Sequence, residues 1–250
     1  MEENYGDLYE RVGKLQGWDF SKIKFEEFYD AKYNYIDEIN KKITPTSLVL
    51  DIGTGGGEIV LKEFKEAGYI FGIDNCKEMI DTANKNLKKY PNKRVKFINM
   101  DANDINFPKG TFDIICSRHC WENPKIAYEL LNDKGTYFSE DIENDDCIEL
   151  KEIFGRGQCF KENIKLQDKI LPILLNNGFK EENIIVYQIK IDEYYKTKED
   201  LAYLLLNTPI LMNFLKVEND DKKLEEYIKK YKTDKGILLK RKLFGVIAQK

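Results

Sequence analysis

Histidine is almost missing from this chain, with His119 the single one among 250 residues. An imidazole-built metal centre has no ligand set to draw on, and imidazole acid–base chemistry would rest on that one ring. Cysteine is sparse and odd in number: Cys76, Cys116, Cys120, Cys147 and Cys159 contain no Cys-x-x-Cys pair. Cys116 and Cys120 flank His119, but further ligands at recognisable spacing are lacking, so no metal is expected. A chain of this length needs no covalent staples, and reduced thiols in a cytoplasmic protein are expected. No apolar run reaches membrane-spanning length, and Met1-Glu2-Glu3-Asn4 is too acidic and polar for a leader. A basic excess is lacking as well. Lys and Arg number 40 against 44 Asp and Glu, a net charge of −4, so the footprint of a dedicated nucleic-acid binder is not there.

What is present is enough apolar residue, 42%, to bury a core. Residues 1–44 place Tyr5, Leu8, Tyr9, Val12, Leu15 and then Phe25, Phe28, Tyr29 and Tyr33 at three- and four-residue spacing, which predicts helix. After Thr44-Pro45-Thr46 the pattern alternates. Strands are expected at 47–52, 69–73, 95–99, 112–117 and 135–140, with helices at 58–67 (closed by Gly68), 77–89 and 124–131. Such alternation implies crossovers and a mainly parallel sheet. Further on, helix is expected at 166–176, 198–206 and 220–231, and strand at 184–191 and 238–248. The two late strands lie far enough apart to hold an insertion at about 194–235.

A strand running into Gly53-Thr54-Gly55-Gly56-Gly57 and then a helix is a ligand-binding turn, because glycine permits positive φ and close backbone approach. A dinucleotide fingerprint would put a third small residue where Glu58 stands, and no Lys-Ser or Lys-Thr follows for a P-loop. Asp51 before the glycines and Glu58 after them disfavour a pyrophosphate and favour a cation, such as the sulfonium and α-ammonium of S-adenosylmethionine. Asp74 ends the next strand, at the spacing from which a carboxylate takes ribose hydroxyls or, alternatively, caps the following helix. Asn75 adjoins it, and Met79 is placed to pack on an adenine. Asp101-Ala102 ends the third strand, where a carboxylate and a backbone N–H can meet an adenine edge.

Taken in order, Leu50-Asp51-Ile52-Gly53-Thr54-Gly55-Gly56-Gly57, Gly72-Ile73-Asp74, Asp101-Ala102, Phe112-Asp113-Ile114-Ile115-Cys116-Ser117 and Leu131-Asn132-Asp133-Lys134-Gly135-Thr136 resemble the class I S-adenosylmethionine-dependent methyltransferases, in particular the UbiE/Coq5-like, or type 11, group. The resemblance implies an α/β, Rossmann-like three-layer sandwich with a mainly parallel seven-stranded sheet and an antiparallel last strand. It implies a cofactor, S-adenosyl-L-methionine (product S-adenosyl-L-homocysteine), held by Asp51, Gly53, Thr54 and Gly55 at the methionine part. Asp74, with Asn75, would hold the ribose, Asp101 and Ala102 the adenine, with Met79 and Ser117 also in the pocket. The family usually has Pro-Gly or Gly-Gly where Asp133-Lys134-Gly135 stands.

Ser117-Arg118-His119-Cys120-Trp121-Glu122 follows the fourth strand, toward which the methyl group would point. His119 is the candidate base or, equally, a loop residue shaping the pocket. Arg118 is a candidate for an anionic acceptor or a structural ion pair; Trp121 and Trp18 are candidates for acceptor contact or plain packing. The expected organisation is an N-terminal helical lid segment over 1–44 and a methyltransferase domain over 45–250 carrying the helical insertion. A small or medium acceptor is favoured; rRNA or tRNA is the alternative. A nucleotide-binding oxidoreductase and a non-catalytic cofactor-binding module complete the competing readings.

Overall fold

A computed structural model of the protein describes all residues except 1, 2, 16, 31, 32, 92, 121, 122 and 163. Helix α1 (Tyr5–Leu15), strand β1 (Phe25–Tyr29) and helix α2 (Tyr35–Lys42) precede the alternating region. There β2 (Leu48–Ile52), α3 (Glu58–Lys62), β3 (Tyr69–Asp74), α4 (Lys77–Leu87), β4 (Val95–Asn99), β5 (Phe112–Arg118), α5 (Pro124–Leu130) and β6 (Leu131–Ile142) follow in turn. The last part holds α6 (Ile148–Phe154), α7 (Leu166–Asn176), β7 (Ile184–Tyr195), α8 (Lys198–Asn207), α9 (Asp220–Tyr231), β8 (Lys232–Thr233) and β9 (Gly236–Gln249).

The strands form one sheet in the order β1-β7-β9-β6-β5-β2-β3-β4, with the short β8 paired to β9. From β4 to β6 every pairing is parallel, and β9 runs antiparallel between β6 and β7. The sheet therefore has nine strands rather than seven, the additions being β1 and β8. Central strands are buried on both faces, so adjacent residues serve different layers. Val49 and Ile114 pack with Ile39, Val60 and Ile80 of α2, α3 and α4. Leu50 and Ile115 pack with Ala127 and Leu130 of α5 and Leu174 of α7. Helices α6, α8 and α9 build a separate core from Leu150, Leu201, Leu205, Leu224 and Tyr227 against Leu239 of β9. Among the described residues no helix is long and apolar enough to cross a membrane.

Two expectations are corrected. Phe25, Phe28 and Tyr29, placed in a helix by their spacing, lie in β1, antiparallel to β7. The outer edge of β7 would otherwise leave a row of N–H and C=O groups unpaired, and that demand outweighs a weak helical period. Cross-strand ring pairs reinforce it, Phe25 stacking on Tyr195 at 5.3 Å and Phe28 meeting Tyr194 edge-on at 5.6 Å. The helix expected to run to residue 67 ends at Lys62. There Asn40 of α2 donates to Glu63 O at 2.9 Å and accepts from Lys65 N–H at 2.8 Å, offering those groups an alternative to the helical ladder.

Candidate active site

Parallel register brings the carboxyl ends of β2, β3, β5 and β6 to one rim. Asp51 lies beside Gly72 and Cys116, Ile52 beside Ser117, Ser117 beside Ser139, and Arg118 beside Glu140. The chain leaves β2 with Gly53 and Thr54 both donating to Ile73 O at 2.9 Å. That double contact bends the backbone back over β3, and Gly53 and Gly55 take left-handed φ of 74° and 55°. Side chains then lie directly on this backbone. A Cβ on Gly55 would stand 2.5 Å from Trp18 Cδ1, and one on Gly53 2.5 Å from Cys120 Cβ. The loop is thus walled by Trp18 from the N-terminal segment and Cys120 from the turn after β5.

Three carboxylates lie around this loop. Burial pushes the Asp51 carboxyl up to about 6, opposed by Thr54 and Cys116, which face it, and reinforced by the charge of Asp74. Cys116 Sγ lies 3.5 Å from Asp51 Oδ1. Asp74 is bolted in place: Oδ2 accepts Gly55 N–H at 3.0 Å and Oδ1 accepts Cys76 N–H at 2.8 Å. Burial raises it too. The cap alternative is corrected: Cys76 is the N-cap of α4 and no side chain caps that helix, so Asp74 holds the glycine loop and the turn ahead of α4. Glu58, expected from its place in the motif to face a ligand, instead turns back on the Gly17-Trp18 turn. Its Oε1 would stand 2.3 Å from a Cβ on Gly17, and burial pushes its carboxyl up to about 7. No cation partners Asp51 among the described residues, so a buried ionised carboxylate there is stabilised by whatever positive charge is brought to it.

Beyond β5, Arg118 Nε donates to Glu140 Oε1 at 2.7 Å, and His119 takes a left-handed φ of 52° with its N–H donating to Glu140 O at 2.9 Å. His119 keeps 30% of its side-chain surface accessible. Desolvation, then the charges of Arg118 and Arg241, push its imidazole well below the usual value. Tyr9 of α1 faces the same region, its hydroxyl within electrostatic reach of Cys120, Asp74 and Asp141. Trp18 meets Tyr9 edge-on at 5.6 Å. Ser117 is buried, with Oγ 3.4 Å from Cys120 O.

The structure thus brings together Asp51, Gly53, Thr54, Gly55, Asp74 and Trp18, with Ser117, Arg118 and His119 on the adjoining strand end. Asn75 is exposed. Met79 is packed against Leu8 and Val12 between α1 and α4. Asp101 is exposed and closes its own turn by accepting Asn103 N–H at 2.7 Å, and Ala102 is half-buried. Trp121 lies outside the described residues. Sequence reasoning passed over Asp141, the penultimate residue of β6, which is pushed up to about 6 by burial. The strand-end rule that picked out Asp74 would have found it had the strand been extended past Glu140. Tyr35, buried in one cluster with Cys116, gave no signal at all. No group of three or more metal-ligating side chains occurs among the described residues.

Residues 49–133 match the family model described as a methyltransferase domain. An uncharacterized RNA methyltransferase of Caldanaerobacter subterraneus is 31% identical over 98 residues, 39% of this chain and 21% of that protein. A probable cobalt-precorrin-6B C(15)-methyltransferase (decarboxylating) of Methanococcus vannielii is 31% identical over 93 residues, 33% of this chain and 51% of that protein. The chain therefore spans about half or less of the length of these curated relatives. The crystal structure of the YcgJ protein from Bacillus subtilis superposes with a TM-score of 0.60 at 16% identity, covering 86% of this chain and 97% of the other. That likeness establishes the shared fold. The matching description is broad and does not single out the UbiE/Coq5-like group.

Proposed function

We propose that the protein, whose residues 49–133 match a methyltransferase-domain model, is a class I, S-adenosylmethionine-dependent methyltransferase acting on a small or medium-sized acceptor. One observation carries this reading: the buried, raised Asp51 carboxylate stands just before a glycine loop with no cation beside it among the described residues. A sulfonium and an α-ammonium supply the missing charge, whereas a pyrophosphate would add to the repulsion. The donor set also fits the rest of the cofactor. Asp74, fixed by Gly55 and Cys76 N–H groups, retains lone pairs for a ribose diol. Asp101 and Ala102 follow β4, in reach of an adenine edge.

When bound, S-adenosylmethionine supplies an electrophilic methyl group, so the protein's work is alignment and exclusion of water. Trp18 and Tyr9 form an aromatic wall against the loop. Residues 1–44 and the insertion at about 194–235 act as the lid that selects the acceptor. His119, neutral at pH 7 under desolvation and two neighbouring guanidiniums, is in the state that accepts a proton from an acceptor O–H or N–H. An RNA acceptor is the second reading, supported by the partial similarity to the RNA methyltransferase of Caldanaerobacter. The net charge of −4 favours the small acceptor. Isothermal titration with S-adenosylmethionine and S-adenosylhomocysteine tests the proposal: saturable binding of both is expected, and no heat from either at millimolar ligand would overturn it.

A further inference from the structure

A cavity of about 200 Å³ is lined by Tyr29, Tyr33, Tyr35 and Ile59 together with the Arg118–Glu140 pair. Two of these residues tie it to the candidate site. Ile59 belongs to the first turn of α3, directly after the glycine loop, and Tyr35 is buried in one cluster with Cys116, the strand partner of Asp51. His119, next in the chain to Arg118, has Nε2 3.9 Å from Glu140 Oε1. The cavity therefore adjoins both the loop and the candidate base.

Its chemistry is asymmetric. Glu140 is only 10% exposed and has Oε1 committed to Arg118 Nε, whereas Arg118 is 39% exposed. The Arg118 Nη1 and Nη2 groups donate no hydrogen bond among the described residues. The pair thus turns its positive member outward and its negative member inward. Tyr35 is 3% exposed, yet its hydroxyl has no hydrogen-bond partner among the described residues. An unpartnered buried hydroxyl is costly unless a ligand or water satisfies it. Burial holds Tyr29 up at about 12 and raises Tyr33 and Tyr35 as well, so at neutral pH all three are uncharged and repel no anion. Tyr33 is buried and stacked on Tyr187 at 4.6 Å, which fixes its ring, while Tyr29 is the tyrosine of this wall left exposed, at 46%.

We propose that this cavity is the acceptor subsite and that it takes a small aromatic molecule whose carboxylate or phosphate sits on the outward face of the Arg118 guanidinium. Planar, forked recognition of an oxyanion is what arginine offers and lysine does not. Tyr29 and Ile59 supply the apolar sides for a ring, and the acceptor's far end lies toward His119 and the loop. This assignment rests on the methyltransferase reading for the word acceptor; the binding it describes is testable without it.

The test is isothermal titration of benzoate, phenyl phosphate and benzylamine into protein saturated with S-adenosylhomocysteine. Both anions are expected to bind and the amine is not, and the tighter anion identifies the group recognised. Arg118→Gln is expected to weaken the anions by about tenfold while leaving S-adenosylhomocysteine affinity within about twofold. Because Arg118→Gln strands the Glu140 carboxylate, two further variants keep the pair or its charge. Arg118→Lys is expected to lose about fivefold, and Tyr29→Ala, at a ring 46% exposed, about threefold. The proposal is overturned if neither anion binds, if benzylamine binds as tightly as benzoate, or if Arg118→Gln instead costs S-adenosylhomocysteine about tenfold, which would give the cavity to the cofactor. Absence of S-adenosylhomocysteine binding by the parent protein removes the methyltransferase reading instead. The same benzoate titration without it then still decides the cavity.

Discussion

Gly55→Ala probes the contact on which the glycine loop and the N-terminal segment depend. Gly55 sits at φ +55°, and an added Cβ would stand 2.5 Å from Trp18 Cδ1 and 3.1 Å from Nε1. Two costs follow. The left-handed conformation costs an alanine about 1–2 kcal/mol. The indole must also shift, and it is held by Tyr9 at 5.6 Å and Phe20 at 6.1 Å, so the displacement adds about 1–3 kcal/mol in the manner of an overpacked core. The expected loss is therefore about 2–5 kcal/mol by urea denaturation, with the indole emission shifted as Trp18 moves. Gly110→Ala calibrates the first term by itself, since Gly110 has φ +70° and nothing within 4 Å of an added Cβ; it should cost about 1–2 kcal/mol. In a Trp18→Ala background, Gly55→Ala should cost no more than Gly110→Ala does, because the obstruction is gone. Equal costs of Gly55→Ala with and without Trp18 would refute the contact, and a loss below about 0.5 kcal/mol in the parent would refute the left-handed loop.

Asp51→Asn is expected to abolish measurable S-adenosylhomocysteine binding while stabilising the protein. The folded-state carboxyl is raised from its ordinary 3.8 to about 6, so between those values the folded protein binds more protons than the unfolded chain. Stability conferred by the protonated form is present below about pH 4 and lost as pH rises through 6, a difference of at most about 3 kcal/mol. Thermal denaturation should show Asn ahead by about 1–3 kcal/mol at pH 7.5 and level with the parent at pH 4; identical profiles would remove Asp51 from its buried, unpaired place. Arg241→Met addresses the buried ion pairs that join β9 to β7 and to the turn after β6. Arg241 Nε donates to Asp146 Oδ1 at 3.0 Å and Nη1 to Glu193 Oε1 at 3.3 Å, and these carboxylates are 1% and 9% exposed. Stranding them should cost about 3–5 kcal/mol in chemical denaturation, and a loss under about 1 kcal/mol would show that water already reaches the pair.

Most elements were legible because their signals are local. The apolar runs of β2, β3, β4 and β5 and the periodic stretches of α4, α7, α8 and α9 carry the pattern of the face they bury within their own residues. The elements that escaped lack that property. The sequence of β1 has apolar residues at helical spacing and becomes strand only because β7 offers it an edge. Strands β7 and β9 run past their apolar cores, to Tyr195 and back to Gly236, because each protects the other's hydrogen bonds along twelve paired positions. Glu58 followed the glycines and was read with them, yet Gly17 and Trp18 claim its carboxylate from a distant segment.

The sequence by itself determined the loop, the acids that end β2 and β3, and the parallel alternation around them. Each of these is specified within a few residues by what glycine's missing Cβ permits and what a strand end exposes. Only the tertiary structure decided what surrounds them. Trp18 lies on Gly55, Arg118 faces outward from Glu140, and Tyr35 is buried in one cluster with Cys116. Those neighbours come from elements far apart in the chain, and their meeting is set by strand register and by which edges and faces remain to be covered. The charge the site calls for was therefore written locally, while the shape that chooses an acceptor was not.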